Sequence, residues 1–159
     1  RCGREVDPRQ TRDGARADRR PGAEVGFDDH PKHFPGAFGQ LGDNTTANSD
    51  VPRLVSTPLT FASVSAGEAM SCALTSRGEA YCWGNNGFGE VGDGTTTNRH
   101  SPTAVSGGFT FTSISAGGNQ HVCGLTDRLG AWCWGYGLSG ELGNGAFVSV
   151  SAPTAVQAP

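Results

Sequence analysis

The sequence predicts an all-β protein built from β-propeller blades of four antiparallel strands, and two observations support this fold class. The first is composition: the 159 residues include 25 glycines and 9 prolines, about a fifth of the chain against roughly 12% in ordinary proteins. Helices do not tolerate that share of glycine and proline. The second is an internal repeat of about 50 residues, each copy of which carries several strand-like segments.

The repeat shows first in the spacing of its glycines. GQLGD at residues 39–43 returns as GEVGD at 89–93 and as GELGN at 140–144, with offsets of 50 and 51. A Pro-x-x-Val segment follows each copy, and the hexapeptides that begin at Phe61 and Phe111 also match. Kelch propellers have a similar period, but their Gly-Gly doublet is not matched at equivalent positions here. The period predicts propeller blades.

Each unit contains four short segments of strand-forming residues separated by turn residues. They lie at residues 54–55, 61–66, 71–75 and 80–83 in one unit, and at 104–105, 111–116, 122–126 and 131–134 in the next. Two-residue alternation predicts that Phe61, Ser63 and Ser65 share one face of their strand. With units near 37–87, 88–138 and 139–159, we predict about two complete blades and the partial ends of an incomplete propeller.

The N-terminal segment 1–36 differs in composition from the rest of the chain. Of its 36 residues 15 are charged, against 12 of the remaining 123. Its few large apolar residues show no period of 2 or 3.6, so we expect no independent fold. Two origins fit this composition: a disordered arginine-rich arm, or out-of-frame translation at the edge of a GC-rich gene.

Charge and hydropathy limit the classes of partner. The net charge is −3, from 12 basic and 15 acidic residues, and gives no positive excess to hold nucleic-acid phosphates. We therefore expect no nucleic-acid partner. No segment has the length and apolar character of a membrane span, and no signal peptide is visible.

Four of the five cysteines form two pairs with the same spacing. Cys72 and Cys82 are ten residues apart, as are Cys123 and Cys133, and each pair flanks a turn. A hairpin at each turn would bring its two cysteines opposite each other, at a Cα separation that a disulfide accepts. Buried free thiols and, less well, a zinc site are the alternatives. Disulfides would imply an oxidising compartment, hence an extracellular or cell-surface location.

Several motifs together carry a family resemblance over residues 37–159. The succession Gly-x-Leu-Gly-x-Gly-Thr-Thr, Pro-x-x-Val, Ile-Ser-Ala-Gly-x-x-His-x-Cys-x-Leu and Tyr-Cys-Trp-Gly resembles the regulator of chromosome condensation repeat family. The resemblance implies blades of a seven-bladed propeller. It also implies either nucleotide exchange on the Ran GTPase with chromatin binding, or protein recognition, as in a bacterial inhibitor of β-lactamases. The cysteine-containing repeats resemble secreted or surface-exposed bacterial members.

The sequence departs from the family pattern at three points. Met70 replaces the motif histidine that is present as His121, and residues 32–34 (KHF) stand where Cys-Trp-Gly would precede the first GxxG segment. The third unit stops after Val156. We therefore interpret the chain as a fragment of a propeller that would self-associate through its uncovered blade faces.

The sequence favours a noncatalytic protein-recognition module. Variable loops on a rigid scaffold are the expected binding elements, and the candidate residues are Asn85, Asn86, Phe88, Arg99, His100, Tyr136 and Leu138. The alternative is a guanine-nucleotide exchange factor, which would need an acidic or hairpin insert, but none interrupts the 50-residue spacing. We expect no cofactor and no enzyme activity.

Two further features have a chemical and a structural interpretation. Residues 93–98 (DGTTTN) offer oxygen ligands for calcium, but these residue types mostly form side-chain-capped turns, so we predict no metal site. His121 is a candidate acid–base group, but the repeat places no nucleophile beside it. We predict that it packs in its strand and forms a hydrogen bond to its blade.

Overall fold

The computed structural model describes residues 24–25, 38–118, 120–127 and 130–157. These residues form ten β-strands and no helix. The strands are β1 (Glu24–Val25), β2 (Arg53–Leu54), β3 (Phe61–Ala66), β4 (Met70–Thr75), β5 (Ala80–Gly84), β6 (Arg99–Ala104), β7 (Phe111–Ala116), β8 (His121–Thr126), β9 (Ala131–Gly135) and β10 (Val150–Ala155). Apart from β1, the segment 1–36 lies outside the described residues, and our expectation for it stays a prediction.

The strands form two four-stranded antiparallel sheets and one short pair. Strands β3, β4, β5 and β6 lie side by side in that order and form blade 1, and β7 to β10 form blade 2 in the same way. Strands β1 and β2 pair separately. The all-β fold class and the two complete blades are as the sequence predicted.

Each blade takes its outermost strand from the following sequence unit. Strand β6 begins only after the second GxxG turn, yet its Thr103 lies opposite Cys82 of β5. Val105 extends this pairing, since its backbone N–H donates to the carbonyl of Ala80 at 2.9 Å. The four segments of one sequence unit are therefore not the four strands of one blade. The blade boundary is one strand later than the unit boundary.

A β-bulge interrupts the predicted alternation in the innermost strand of each blade. In blade 1, Phe61 lies opposite Thr75 while Ser63 lies opposite Leu74, so Ala62 is the extra residue. Phe61 consequently packs in one apolar cluster with Val64 rather than sharing a face with Ser63. The prediction that Phe61, Ser63 and Ser65 share one face is wrong, because a bulge shifts the pleat by one residue.

The main core lies between the two facing blades. Blade 1 contributes a row of buried side chains from β4 and β5, and blade 2 covers them with two aromatic residues and a valine. The cluster includes Met70, Cys72, Leu74, Ala80, Cys82, Phe111, Val122 and Trp134. A second cluster on the other face of blade 1 contains Val55, Phe61, Ala73 and Trp83. Both faces of blade 1 are therefore buried.

A tryptophan in each blade binds the GxxG turn that precedes that blade in the chain. Trp134 Nε1 donates to the backbone carbonyl of Glu90 at 2.8 Å, and Trp83 Nε1 donates to that of Gln40 at 3.0 Å. Glycine is required under the indole: Gly92 has φ +76°, and a Cβ there would lie 2.6 Å from Trp134 Nε1. This contact gives the repeated GxxG spacing its structural reason.

Candidate functional site: two loops at one end of the blades

The candidate binding residues lie mainly on two equivalent loops. The blade-1 loop is residues 85–98, between β5 and β6, and the blade-2 loop is residues 136–149, between β9 and β10. Each starts with a backbone hydrogen bond to the neighbouring turn, from Asn85 to the carbonyl of Ala69 and from Tyr136 to that of Gln120, both 2.9 Å. The two loops therefore leave their blades at the same end.

Asn86 is the internal support of the blade-1 loop rather than a contact residue. Its side chain is fully buried (0% exposed). Its Nδ2 donates to the carbonyls of Thr95 and Thr97 at 3.1 and 2.9 Å, and its Oδ1 accepts the backbone N–H of Val91 at 2.8 Å. The prediction that Asn86 offers a binding contact is corrected, because all this bonding capacity is used inside the loop.

Arg99, the first residue of β6, is bound to side chains of the blade-1 loop. It forms an ion pair with Asp93, with Nη2 2.6 Å from Oδ2, and its Nη2 also donates to Thr95 Oγ1 at 3.3 Å. Burial alone would raise the pKa of Asp93, but hydrogen bonds from Thr95 and Arg99 outweigh it and hold the pKa below its ordinary value. The positive charge of Arg99 is therefore balanced by Asp93 of the loop.

A buried carboxylate lies at the base of the same loop. Glu90 is 1% exposed, and it accepts hydrogen bonds from Asn85 Nδ2 at 2.9 Å and from the backbone N–H of Phe88 at 2.8 Å. Desolvation raises the pKa of Glu90 above its ordinary value despite these bonds. Asn85 therefore also has a structural partner, although its side chain is half-buried rather than covered.

Three of the predicted residues are at least partly accessible on the two loops, and two of them touch. The rings of Phe88 and Tyr136 meet edge to face, with centroids 5.0 Å apart at 84°, which joins the two loops. Phe88 is 37% exposed and Leu138 is 53% exposed, while Tyr136 is half-buried. An aromatic pair held in this way is a rigid contact element.

The structure adds two residues that our sequence reasoning missed. Phe147 and Val148 in the blade-2 loop are 71% and 51% exposed. They occupy the repeat positions of Thr96 and Thr97 in the blade-1 loop. The signal was present in the sequence as an AFV segment where the other units have TTA or TTT.

The histidines do not form a catalytic group. His100 lies in β6 and packs against Gly39, where a Cβ would lie 2.5 Å from the imidazole Cδ2. The predicted hydrogen bond from His121 to its blade is absent at Nδ1, which has no partner within the described part of the chain. His121 occupies the repeat position of Met70 but is half-buried, whereas Met70 is 2% exposed in the core between the two blades.

The cysteine pairs lie where the hairpin register predicts. Cys72 is directly opposite Cys82 and Cys123 is directly opposite Cys133, and each pair is disulfide-bonded with a Cα–Cα distance of 4.1 Å. The blade-1 disulfide is fully buried between the blades, whereas Cys123 is half-buried on the uncovered face of blade 2.

The described residues offer little other chemistry. Among them there is no group of three or more His, Cys, Asp or Glu side chains placed to hold a metal ion. A small cleft lined by Glu68, Asn85, Glu90 and Gln120 has a volume of about 10 Å³, which is room for about one water molecule. Within residues 24–25, 38–118, 120–127 and 130–157, no helix is long and apolar enough to cross a bilayer.

Two stacked antiparallel blades, joined by a tryptophan-to-carbonyl hydrogen bond, define the class of protein as a β-propeller of which this chain holds a part. The family model described as "Regulator of chromosome condensation (RCC1) repeat" matches residues 36–74 and 77–125, and a second model with that description matches residues 61–90. The chain belongs to the RCC1 repeat family. No curated protein sequence matches it significantly.

Solved structures with the same fold include two of a yeast protein and one of a human protein. Prp20p from Saccharomyces cerevisiae is 25% identical with a TM-score of 0.70, over 77% of this chain and 33% of that chain. Yeast RCC1 (Prp20) bound to Kap60 is 25% identical with a TM-score of 0.69, over 76% of this chain and 31% of that chain. Human WBSCR16 is 22% identical with a TM-score of 0.61, over 77% of this chain and 33% of that chain. This chain spans about a third of the length of each.

Proposed function

We propose that this chain is part of a noncatalytic propeller that recognises another protein through the blade-1 and blade-2 loops. The observation that carries the proposal is the edge-to-face pair of Phe88 and Tyr136, which is exposed beside Leu138 on loops whose backbones are held by buried hydrogen bonds. Rigid, partly exposed aromatic residues are typical binding anchors.

The structural relatives support a protein as the class of partner. The study of Prp20p concerned its binding to Gsp1p and histones, and yeast RCC1 was solved bound to Kap60. All of these partners are proteins. Since this chain spans about a third of those structures, the proposal extends to the class of partner and not to its identity.

The experiment is a selection of displayed random peptides on the immobilised full chain, followed by affinity measurements on the selected peptides. We expect Phe88→Ala and Tyr136→Ala to weaken binding about tenfold or more without lowering the melting temperature. Thr46→Ala, an exposed change outside both loops, is the matched control and should leave affinity unchanged. Affinity that neither aromatic substitution alters would contradict the proposed site.

Guanine-nucleotide exchange is the second candidate function, because the related Prp20p was studied with Gsp1p. An exchange factor has to displace nucleotide from its GTPase, for which we expect an inserted acidic segment or hairpin that the regular 50-residue spacing lacks. Release of labelled GDP from a Ran-type GTPase distinguishes the two functions. We expect no acceleration by the full chain, and a clear acceleration would replace our proposal.

We also propose an extracellular or cell-surface location, since two disulfides in a small repeat protein fit an oxidising compartment. Protease treatment of intact source cells tests this location. The protein should be digested while a cytosolic marker is spared. Full protection of the protein in intact cells, together with digestion after lysis, would contradict it.

A further inference from the structure

We propose that the two loops present an apolar docking surface for an extended, basic peptide segment that carries aromatic or large aliphatic side chains. The surface consists of Phe88, Tyr136, Leu138, Phe147 and Val148, and we call it the loop patch. This inference rests on the proposed function and adds the residues of the blade-2 loop and the chemistry of the partner.

The loop patch is supported by contacts within and between the two loops. The ring of Phe88 meets that of Tyr136 across the two loops. The backbone N–H of Gly137, between Tyr136 and Leu138, donates to Ser149 Oγ at 3.3 Å, so the two ends of the blade-2 loop are joined. The ring of Phe147 lies over Gly140, where a Cβ would be 3.4 Å away from it.

The exposure of Phe147 and Val148 would not depend on whether another blade follows. Blade 2 already packs on the blade-1 loop, where Gly94 donates to the carbonyl of Ser151 at 2.8 Å, and Thr96 and Thr97 are nevertheless exposed. Phe147 and Val148 occupy the same repeat positions. They would therefore stay exposed in a longer propeller. Two large apolar side chains at such a position are covered only when a partner binds.

The blade-2 loop has also lost the ion pair of its counterpart. The ion pair of Asp93 and Arg99 in the blade-1 loop is replaced by Asn144 and Val150 at the equivalent positions. The loop is then held by a neutral hydrogen bond from the backbone N–H of Ala146 to Asn144 Oδ1 at 3.0 Å. This change leaves a surface suited to apolar side chains.

Two carboxylates lie at this end of the blades, and they favour a basic partner. Glu68 is exposed and lies beside the cleft formed with Gln120, and Glu141 belongs to the blade-2 loop. Hydrogen bonds from the loop backbone lower the pKa of Glu141, so it is ionised at neutral pH. The cation Arg99 is already paired with Asp93. Lysine or arginine beside the apolar anchors would therefore complement this end of the blades.

The test uses displayed random dodecapeptides selected on the full chain, and a variant that the repeat itself supplies. We expect selected peptides to be enriched in Trp, Phe or Leu together with Lys and Arg. The double substitution Phe147→Thr with Val148→Thr introduces the residues of the blade-1 loop. It should lower the affinity of the synthesised peptides about tenfold or more. Thr96→Ala with Thr97→Ala is the matched control at the same repeat positions and should leave affinity unchanged.

The outcomes separate this inference from the proposed function. Peptides that depend on Phe88 and Tyr136 but bind the double threonine variant normally, or peptides enriched in acidic residues, would overturn the inference and leave the function standing. Selection of no peptide would overturn both. Loss of self-association in the threonine variant, without any peptide binding, would identify a second copy of the chain as the occupant and overturn the inference.

Discussion

Trp134 donates its indole N–H to the backbone carbonyl of Glu90, 44 residues earlier in the chain, at 2.8 Å. Both residues are buried. The bond joins the loop that leaves blade 1 to a strand of blade 2, and Trp83 repeats it with Gln40. The hydrogen bond is therefore a link between blades rather than within one, and its loss should affect stacking first.

Replacing Trp134 with phenylalanine should lower the free energy of unfolding by about 1–3 kcal/mol, because the buried carbonyl of Glu90 loses its donor. Urea unfolding of the full chain measures this change. Trp132→Phe is the control: Trp132 is half-buried, and its ring packs at a tilt against Phe109 with centroids 4.3 Å apart. An equal cost for both substitutions would contradict a specific role for the indole N–H.

Glu90→Gln should make the chain more stable at neutral pH. Folding raises the pKa of Glu90 above the ordinary value of 4.5, so its contribution to stability is full below about pH 4.5 and is lost as the pH rises through the folded pKa. Glutamine carries no charge, so this pH-dependent loss of stability disappears. Its amide oxygen can still accept the Phe88 N–H, and its amide nitrogen can donate to Asn85 if the Asn85 amide rotates. Gln40 already occupies the equivalent buried position.

The measurement is urea unfolding of both proteins between about pH 4 and about pH 7. The advantage of the variant should grow with pH. Glu141→Gln is the control of opposite sign, because the pKa of Glu141 is lowered in the folded chain. That variant should be less stable than the parent at neutral pH and equal to it at low pH. Parallel profiles for all three proteins would contradict both pKa directions.

The two disulfides should differ in their effect on stability. Removing either one, as Cys72→Ala with Cys82→Ala or as Cys123→Ala with Cys133→Ala, should cost about 3 kcal/mol of cross-link entropy. The first pair should cost more, because both of its sulfurs lie in the core between the blades, whereas Cys123 is half-buried. Thermal melts compare the variants, and peptide mapping without reduction checks the pairing. Linkage between blades would contradict the assignment.

The uncovered face of blade 2 should drive self-association of the chain. Leu125 is 50% exposed, whereas Leu74 at the equivalent position of blade 1 is 4% exposed under blade 2. Leu125→Glu should therefore shift the chain toward monomer in sedimentation velocity, with little effect on the folded blades. Val51→Glu, at a side chain 59% exposed outside both blades, is the control. A parent chain that is monomeric at all concentrations would contradict this prediction.

Local features of this protein could be predicted from its sequence. The strands, the turn glycines and the pairing of Cys72 with Cys82 depend on residues about ten positions apart, so hairpin register and repeat spacing are sufficient to infer them. The repeat also gave the all-β fold class and the family, and it pointed to the loops that contain Phe88 and Tyr136. These are properties of one unit and its copies.

Other features were decided only by the tertiary structure, because they depend on how the loops fold back and how neighbouring units pack. Strand β6 joins blade 1 by pairing with β5, which the unit boundary does not show. Asn86 is buried because its own loop folds back on it, although its residue type suggested an exposed contact. Phe147 and Val148 are exposed because they occupy positions that are also exposed in the blade-1 loop, where the residues are threonines. Which side chains of a repeat meet water is fixed by the packing of neighbouring blades, and that packing joins residues more than 40 positions apart.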